Sequence, residues 1–213
     1  MAKDYFEEIS KHLLEDQKPS QFLNTISKES HFNKYPFDML YSLKETPQNL
    51  VHHPEGNVWN HTMMVVDEGA KRRDKSRKPL EFMWATLLHD IGKAPTTKLR
   101  RGKITSYDHD KVGKDLAEKF LKEVTSDEGF IKDVSAIVRW HMQPLFIVKD
   151  LPFSDIKGML SEVDLDEISL FSLCDRLGRG NMSPEKAEEE RKNVELFTKK
   201  CRQYLGKKKE KSQ

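Results

Sequence analysis

The chain has few of the features that would take it out of the ordinary aqueous globular class. Two cysteines in 213 residues, Cys174 and Cys201, give no disulfide framework, which fits a reducing cytosol. No run is apolar enough to span a bilayer, and Met1-Ala2-Lys3-Asp4 leads into no signal-peptide core. The expectation is therefore a cytoplasmic protein with no membrane partner. There is no internal repeat and no low-complexity linker. Period-two alternation is almost missing, which removes β-rich folds and leaves an all-α helical bundle. The length suits one domain with a sizeable core, residues 1–213.

Net charge is only +2, so the field of the whole molecule decides little. The imbalance is local. Lys71, Arg72, Arg73, Lys75, Arg77 and Lys78 stand against Asp74 alone, and Lys98, Arg100, Arg101 and Lys103 form a second cluster. Such clusters suit a polyanion, although runs of charge are more often solvated faces, and no aromatic residues interleave with them.

Helical period runs through nearly every segment. Tyr5, Phe6, Ile9, Leu13 and Leu14 mark a first helix, Phe22, Leu23 and Ile26 a second, and Phe37, Leu40, Tyr41 and Leu43 a short third. Longer helices are expected from Val58 to about Lys75, Pro79 to Asp90, Asp108 or His109 to Val124, and Asp127 to His141. Ser154 is the expected cap of a helix over 155–162, and Asp164 or Leu165 starts the next. Ser183-Pro184-Glu185 opens the last, running to about Leu205. Residues 95–108 lack an apolar period and read as a loop with room for a small hairpin.

The chemistry lies in polar residues that share a helix face with the core. His89 and Asp90 end the apolar run Phe82, Met83, Trp84, Leu87, Leu88, and Gly92 then lets the chain turn, with Lys93 at the mouth of the site. His61 follows Val58 by three and precedes Val65 by four. His141 follows Ile137 by four and Val138 by three. Asp175 follows Phe171 by four and Ile168 by seven, and His109 precedes Val112, Leu116 and Phe120 on one face. A single inward histidine is usually a hydrogen-bonded core residue. Six inward groups, all of types that bind divalent first-row metals, point to one shared metal site. His31 reads as surface, and His52 and His53 as loop residues that could equally face the site.

The order His61, His89-Asp90, Asp175 resembles the HD superfamily of metal-dependent phosphohydrolases. The strings HPEGNVWNHT (53–62), LHDIGKAPTT (88–97) and DHDKVG (108–113) are similar to the HD domain attached to bacterial CCA-adding tRNA nucleotidyltransferases. The resemblance covers 48–180, with a helical extension over 1–47 in place of a nucleotidyltransferase domain and a helix over 184–205 after it. Building tRNA ends is therefore not implied. The resemblance implies that His61, His89, Asp90 and Asp175 hold one divalent ion, and that His109 and His141 with Asp90 permit a second. Manganese, iron, nickel, cobalt, zinc and magnesium are all compatible with these ligands.

It further implies a phosphatase or phosphodiesterase acting on a phosphorylated small molecule, a nucleotide or an RNA end. Asp90 and Lys93 are then the catalytic residues, and Lys93, Thr96, Thr97, Arg176 and Arg179 the substrate-binding ones. Arg139 is a weaker candidate. Two other classes share the pattern: a di-iron oxygenase of the same superfamily, and a non-catalytic RNA-binding module that uses metal for stability.

Overall fold

Prolines and short polar side chains decide where the helices begin. In the computed structural model, which describes residues 2–210, the chain opens with α1 (Ala2–Glu15), α2 (Pro19–Ile26) and α3 (Asp38–Tyr41). Next come α4 (Val58–Ala70), α5 (Pro79–Leu88), the single turn α6 (Lys93–Thr96), and a hairpin of β1 (Lys98–Arg100) and β2 (Lys103–Thr105). The rest is α7 (His109–Val124), α8 (Glu128–Trp140), α9 (Gln143–Val148), α10 (Ile156–Glu162), α11 (Leu165–Leu177) and α12 (Pro184–Glu210). The class is all-α, as the hydrophobic period requires. Asn57 starts α4 by accepting the Asn60 N–H at 2.8 Å, and Asp127 starts α8 by accepting that of Phe130 at 2.9 Å. Among the described residues no helix is long and apolar enough to cross a membrane.

Several boundaries differ from expectation, each for a local reason. The Val58 helix stops at Ala70, not near Lys75. Arg73 reaches back to the carbonyls of Leu13 and Asp16 at 3.1 and 2.6 Å, and the chain folds into a separate 3-10 turn over Arg73–Lys75. The cap of α10 is Asp155, not Ser154. Its carboxylate accepts the Gly158 N–H at 2.8 Å and satisfies one of the donors the helix start leaves unpaired. Pro144 and Pro95 do not break helices; they sit in the first turns of α9 and α6, where a missing N–H loses nothing. The final helix continues to Glu210. The hairpin pairs Arg100 with Lys103 across Arg101-Gly102, both at positive φ, the backbone that matches a two-residue hairpin turn.

α5 has no polar face: every side chain from Phe82 to Leu88 is buried. Helices α1, α4, α8 and α11 pack around it, α7 pairs with α8, and α12 covers α9 and α11. One apolar core runs from Ile9 in α1 to Cys201 in α12, so the first 47 residues share it. The consequence for the site is positional. The end of α5 lies at the centre of the bundle, and whatever follows Leu88 is surrounded by the termini of its neighbours.

Gly92 matters here for a reason the sequence did not supply. Its φ is an ordinary −72°, so no unusual turn is needed. A Cβ at this position would instead fall 2.1 Å from the His109 carbonyl oxygen and 2.6 Å from the Gly113 nitrogen. Glycine lets the start of α7 touch the His-Asp turn. Gly92→Ala must push two backbones apart, which is expected to destabilise by about 3 kcal/mol, the upper end for overpacking. A thermal melt followed by circular dichroism should fall by roughly 10 °C; an unchanged melt would remove this account of the contact.

Candidate metal centre

Five segments bring one polar residue or pair each to the same point. His61 comes from α4, His89 and Asp90 from the turn after α5, His109 from the first residue of α7, His141 from the end of α8 and Asp175 from the last turn of α11. All six are buried. The Asp90 carboxylate lies in the middle, its side chain 2% exposed. Oδ2 faces His89 Nε2 at 3.2 Å and His61 Nε2 at 4.0 Å, while Oδ1 faces His109 Nε2 at 3.5 Å and His141 Nε2 at 3.7 Å. Asp175 Oδ1 closes the first side, 3.1 Å from His61 Nε2. On the second side the two Nε2 atoms of His109 and His141 are 3.1 Å apart.

Helix ends explain how the rings are aimed. The last carbonyls of a helix have no partner within it. His89 follows α5 directly and gives its Nδ1–H to Thr86 O at 2.9 Å; His141 follows α8 and gives its own to Val138 O at 2.7 Å. His109 does the same to Ser106 O at 2.6 Å, and His61 Nδ1 lies 3.1 Å from Gly178 O. A carbonyl only accepts, so the hydrogen stays on Nδ1 and Nε2 is left as a bare lone pair pointing inward. His89 Nε2 has no hydrogen-bond partner at all, and Asp90 Oδ2 has none aligned as one. Bare imidazole nitrogens and two carboxylates converging in a dry interior repel each other unless a cation lies between them. This donor set fits a divalent metal ion, one beside His61, His89 and Asp90, with Asp175 next to His61, and a second beside Asp90, His109 and His141.

The electrostatics agree. Burial resists ionisation of Asp90, but Lys93 and His89 outweigh it and hold the carboxyl well below its ordinary value. Asp175 is likewise held down against burial, chiefly by its bond to His61 and then by Arg179. Burial lowers His109, and lowers His141 to about 3. His61 is the exception. Burial opposes its charge, yet the bonds to Asp175 and Glu55 outweigh burial and raise it.

The centre opens into a cavity of about 600 Å³ that Lys93, Arg176, Arg179, His52 and His53 also line. Lys93 is buried, not at the mouth; its ammonium lies 2.7 Å from Asp90 Oδ2 and donates to Gln48 Oε1 at 2.7 Å. Arg176 lies 3.5 Å from Glu190 of α12, and Arg179 lies 3.9 Å from Asp175 Oδ2. Thr96 and Thr97 are not brought to the cavity. Thr96 Oγ1 turns back to Gly92 O at 2.7 Å, and Thr97 Oγ1 meets Ser106 Oγ at 2.7 Å, so one closes α6 and the other braces the hairpin. Arg139 pairs with Asp110 at 2.7 Å, and His31 is exposed. Two lining or supporting groups are not marked by the helical pattern: Gln48, which lacks any motif, and Glu55, whose one signal is its place in the turn before His61.

A buried histidine–aspartate centre held by the ends of five segments defines a metal-binding helical domain. The chain belongs to the HD domain family, whose pattern it matches over residues 58–180; proteins of this family are metal-dependent hydrolases. It is similar to proteins named multifunctional CCA protein. The one from Halorhodospira halophila is 37% identical over 99 residues, 45% of this chain and 22% of the relative. That from an Azoarcus species is 31% identical over 146 residues, 65% and 34% of the two chains. That from Aromatoleum aromaticum is 44% identical over 59 residues, 28% and 13%. The chain thus spans about a third or less of the length of these relatives.

The low values of His141 and of His53, which burial brings down to about 4, set a pH dependence for the metal-free protein. Unfolded, both rings take up a proton near 6.5. Below that pH the unfolded chain binds protons that the folded chain refuses, so stability present at neutral pH is lost as pH falls. His61 works in the opposite direction but is a single group. The denaturant midpoint of the chelated protein is expected to drop between pH 7.5 and 5, and His141→Gln should flatten the slope. A midpoint independent of pH in both proteins would contradict this.

Proposed function

We propose that the chain is a metal-dependent phosphohydrolase, a phosphatase or phosphodiesterase acting on a nucleotide or an RNA end. One observation carries the reading: Asp90 divides its two oxygens between two sets of imidazoles, beside the Lys93 ammonium and under a wall with Arg176 and Arg179. A divalent ion bound there supplies an acidified water and polarises a phosphoryl oxygen. The chain's own residues do the rest. His61, His89, Asp90 and Asp175 hold the ion, and Asp90 with His109 and His141 can hold another. Asp90, kept ionised, accepts a hydrogen bond from the attacking water and sets its line of approach. Lys93, steered by Gln48, neutralises charge that grows on the phosphoryl oxygens. Arg176 and Arg179 hold the phosphate by planar, paired donors.

Lys93, Arg176 and Arg179 at the cavity suit a phosphoryl substrate, which favours hydrolysis over oxygenation of a neutral substrate. The test is a panel of nucleoside mono-, di- and triphosphates and 2′,3′-cyclic nucleotides, assayed with each divalent metal after chelation. Asp90→Ala should abolish turnover and weaken metal binding together, because removing the carboxylate leaves the ion's charge less compensated in a buried site. Lys93→Ala should keep metal and lose rate by ~10²-fold, the scale of removing one oxyanion donor. Oxygen uptake by the iron-loaded protein, with no hydrolysis under any metal, would move the assignment to an oxygenase.

Within this reading a nucleic-acid end suits the surface better than a free nucleotide. The two basic clusters part company in the fold. In the first, Lys71 and Arg72 pair with Glu68, Arg77 with Asp164 and Asp166, and Lys78 with Asp133. In the second, among the described residues, no carboxylate lies within ion-pair distance of Lys98, Arg100, Arg101 or Lys103. These side chains stand on the hairpin whose far end, Ile104 and Ser106, lines the cavity. Tyr107, exposed, lies beneath Arg100 at 4.8 Å and adds an aromatic face. Replacing the four cations by serine should raise KM for an oligonucleotide and lower its salt slope by about 3, while leaving a mononucleotide unaffected. Equal loss on both substrates would separate the hairpin from any role in holding a strand.

A further inference from the structure

Glu55 lies in the turn before α4, and its carboxylate is only 4% exposed. Burying an ionised carboxylate is unfavourable unless donors surround it. Three do, each from a different segment. Oε1 lies 2.9 Å from His53 Nδ1 and 3.1 Å from His61 Nδ1, and Oε2 accepts the Gly180 N–H at 3.0 Å. The approach is close: a Cβ on Gly180 would lie 3.2 Å from Glu55 N and Oε2, and one on Gly178 would fall 2.8 Å from Val65. The turn after α11 is therefore pressed against the base of α4, with Glu55 as the tie. Arg179 stands between the two glycines, so this tie also fixes the backbone from which it reaches the cavity.

We propose that Glu55 is a positioning residue for the metal centre: it holds the hydrogens of His53 and His61 on Nδ1, frees both Nε2 atoms for the cavity, and locks the Gly178–Gly180 turn that carries Arg179. The proposal rests on the metal centre described above. Its logic is one of acceptors. A carboxylate oxygen has no hydrogen to give, so each ring nitrogen facing it must supply one, and the lone pair moves to the other side of the ring. For His61 the Gly178 carbonyl makes the same demand. For His53 Glu55 makes it alone, and the ring, which lines the cavity, then offers Nε2 as an acceptor to a substrate hydroxyl or water. The same three groups are also close enough to hold an ion themselves. Such an ion would need a bare Nδ1 on His61 and leave the hydrogen on Nε2, closing that ring to the Asp90 centre. Hydrogen bonding keeps both rings usable.

The test reads ring protonation and metal affinity, not turnover. In the chelated wild-type protein at pH 8, 15N spectra of the histidines should show His53 with its hydrogen on Nδ1. In Glu55→Ala that hydrogen should move to Nε2, and affinity for Mn2+ should fall about 10–100-fold, the scale for loss of a group behind a ligand. Glu55→Gln keeps an oxygen that can accept from both rings and should restore most of the affinity. Wild-type His53 protonated on Nε2 overturns the proposal even where Glu55→Ala fails to fold. So does Mn2+ affinity unchanged in Glu55→Ala, or a metal equivalent of wild type lost in it, which would make the cluster an ion site. A wild type that binds no divalent ion would remove the centre, and the His53 spectrum would still decide the role of Glu55.

Discussion

An ionised aspartate buried just beyond the end of a helix with no solvent-facing side from Phe82 to Leu88 is the constraint on which this structure depends. Alone, the Asp90 carboxylate would disfavour folding by several kcal/mol. It is tolerated because the Lys93 ammonium lies 2.7 Å from it, and because the four imidazoles around it and Asp175 complete with it a set of donors for a cation. This requirement explains why five segments end or begin at one point. It also explains the lack of slack around Gly92, where a single methylene would separate the start of α7 from the turn that carries Asp90.

The histidines meet this demand through a feature of helices themselves. A helix end exposes carbonyls that need donors, and a histidine placed just beyond the end supplies one from Nδ1 while facing Nε2 outward along the axis. His89 and His141 both stand at that position, three residues after the carbonyls they satisfy. Closing the helix and aiming the ligand are one interaction, so the rings are held rigidly without a dedicated second layer. His61 is different. It lies within the first turn of α4, where free carbonyls are not at hand, and it depends on Glu55 and on the turn after α11.

Charge is divided by the same geometry. Cations that lie beside a helix terminus or a neighbouring acid are drawn into the scaffold: Arg73 closes α1, and Arg77 and Lys78 tie the start of α5 to Asp164 and Asp133. Among the described residues, cations on the hairpin have no carboxylate within ion-pair distance; its two short strands pair with each other beside the rim of the cavity. The buried Lys93 and the half-buried Arg176 line the cavity of the centre. The result is a molecule of net charge +2 whose cavity sets cations beside acids and whose approach, along the hairpin, is positive.

The sequence by itself determined the class and singled out the six inward groups that the fold brings together. Helical period is local, and an inward His or Asp on an apolar face is visible three or four residues either side, as for His61, His141 and Asp175. The HD turn followed from composition alone, since two ionisable groups end a run with no polar face. What only tertiary structure decided is what depends on distance between segments. Local pattern could not tell that Thr96 and Thr97 turn back to Gly92 and Ser106, because both partners lie in the adjoining turn and hairpin and not on the same helix face. It could not tell that Gly92 serves a close approach and not a bend, that Lys93 is buried against Gln48, or that Glu55 joins His53, His61 and Gly180. It also could not separate the two basic clusters, which read alike along the chain and differ only in which acids the fold sets beside them. Periodicity records which way a side chain faces from its own helix; what it meets there is fixed by the packing of other helices, and that information is spread over the whole chain.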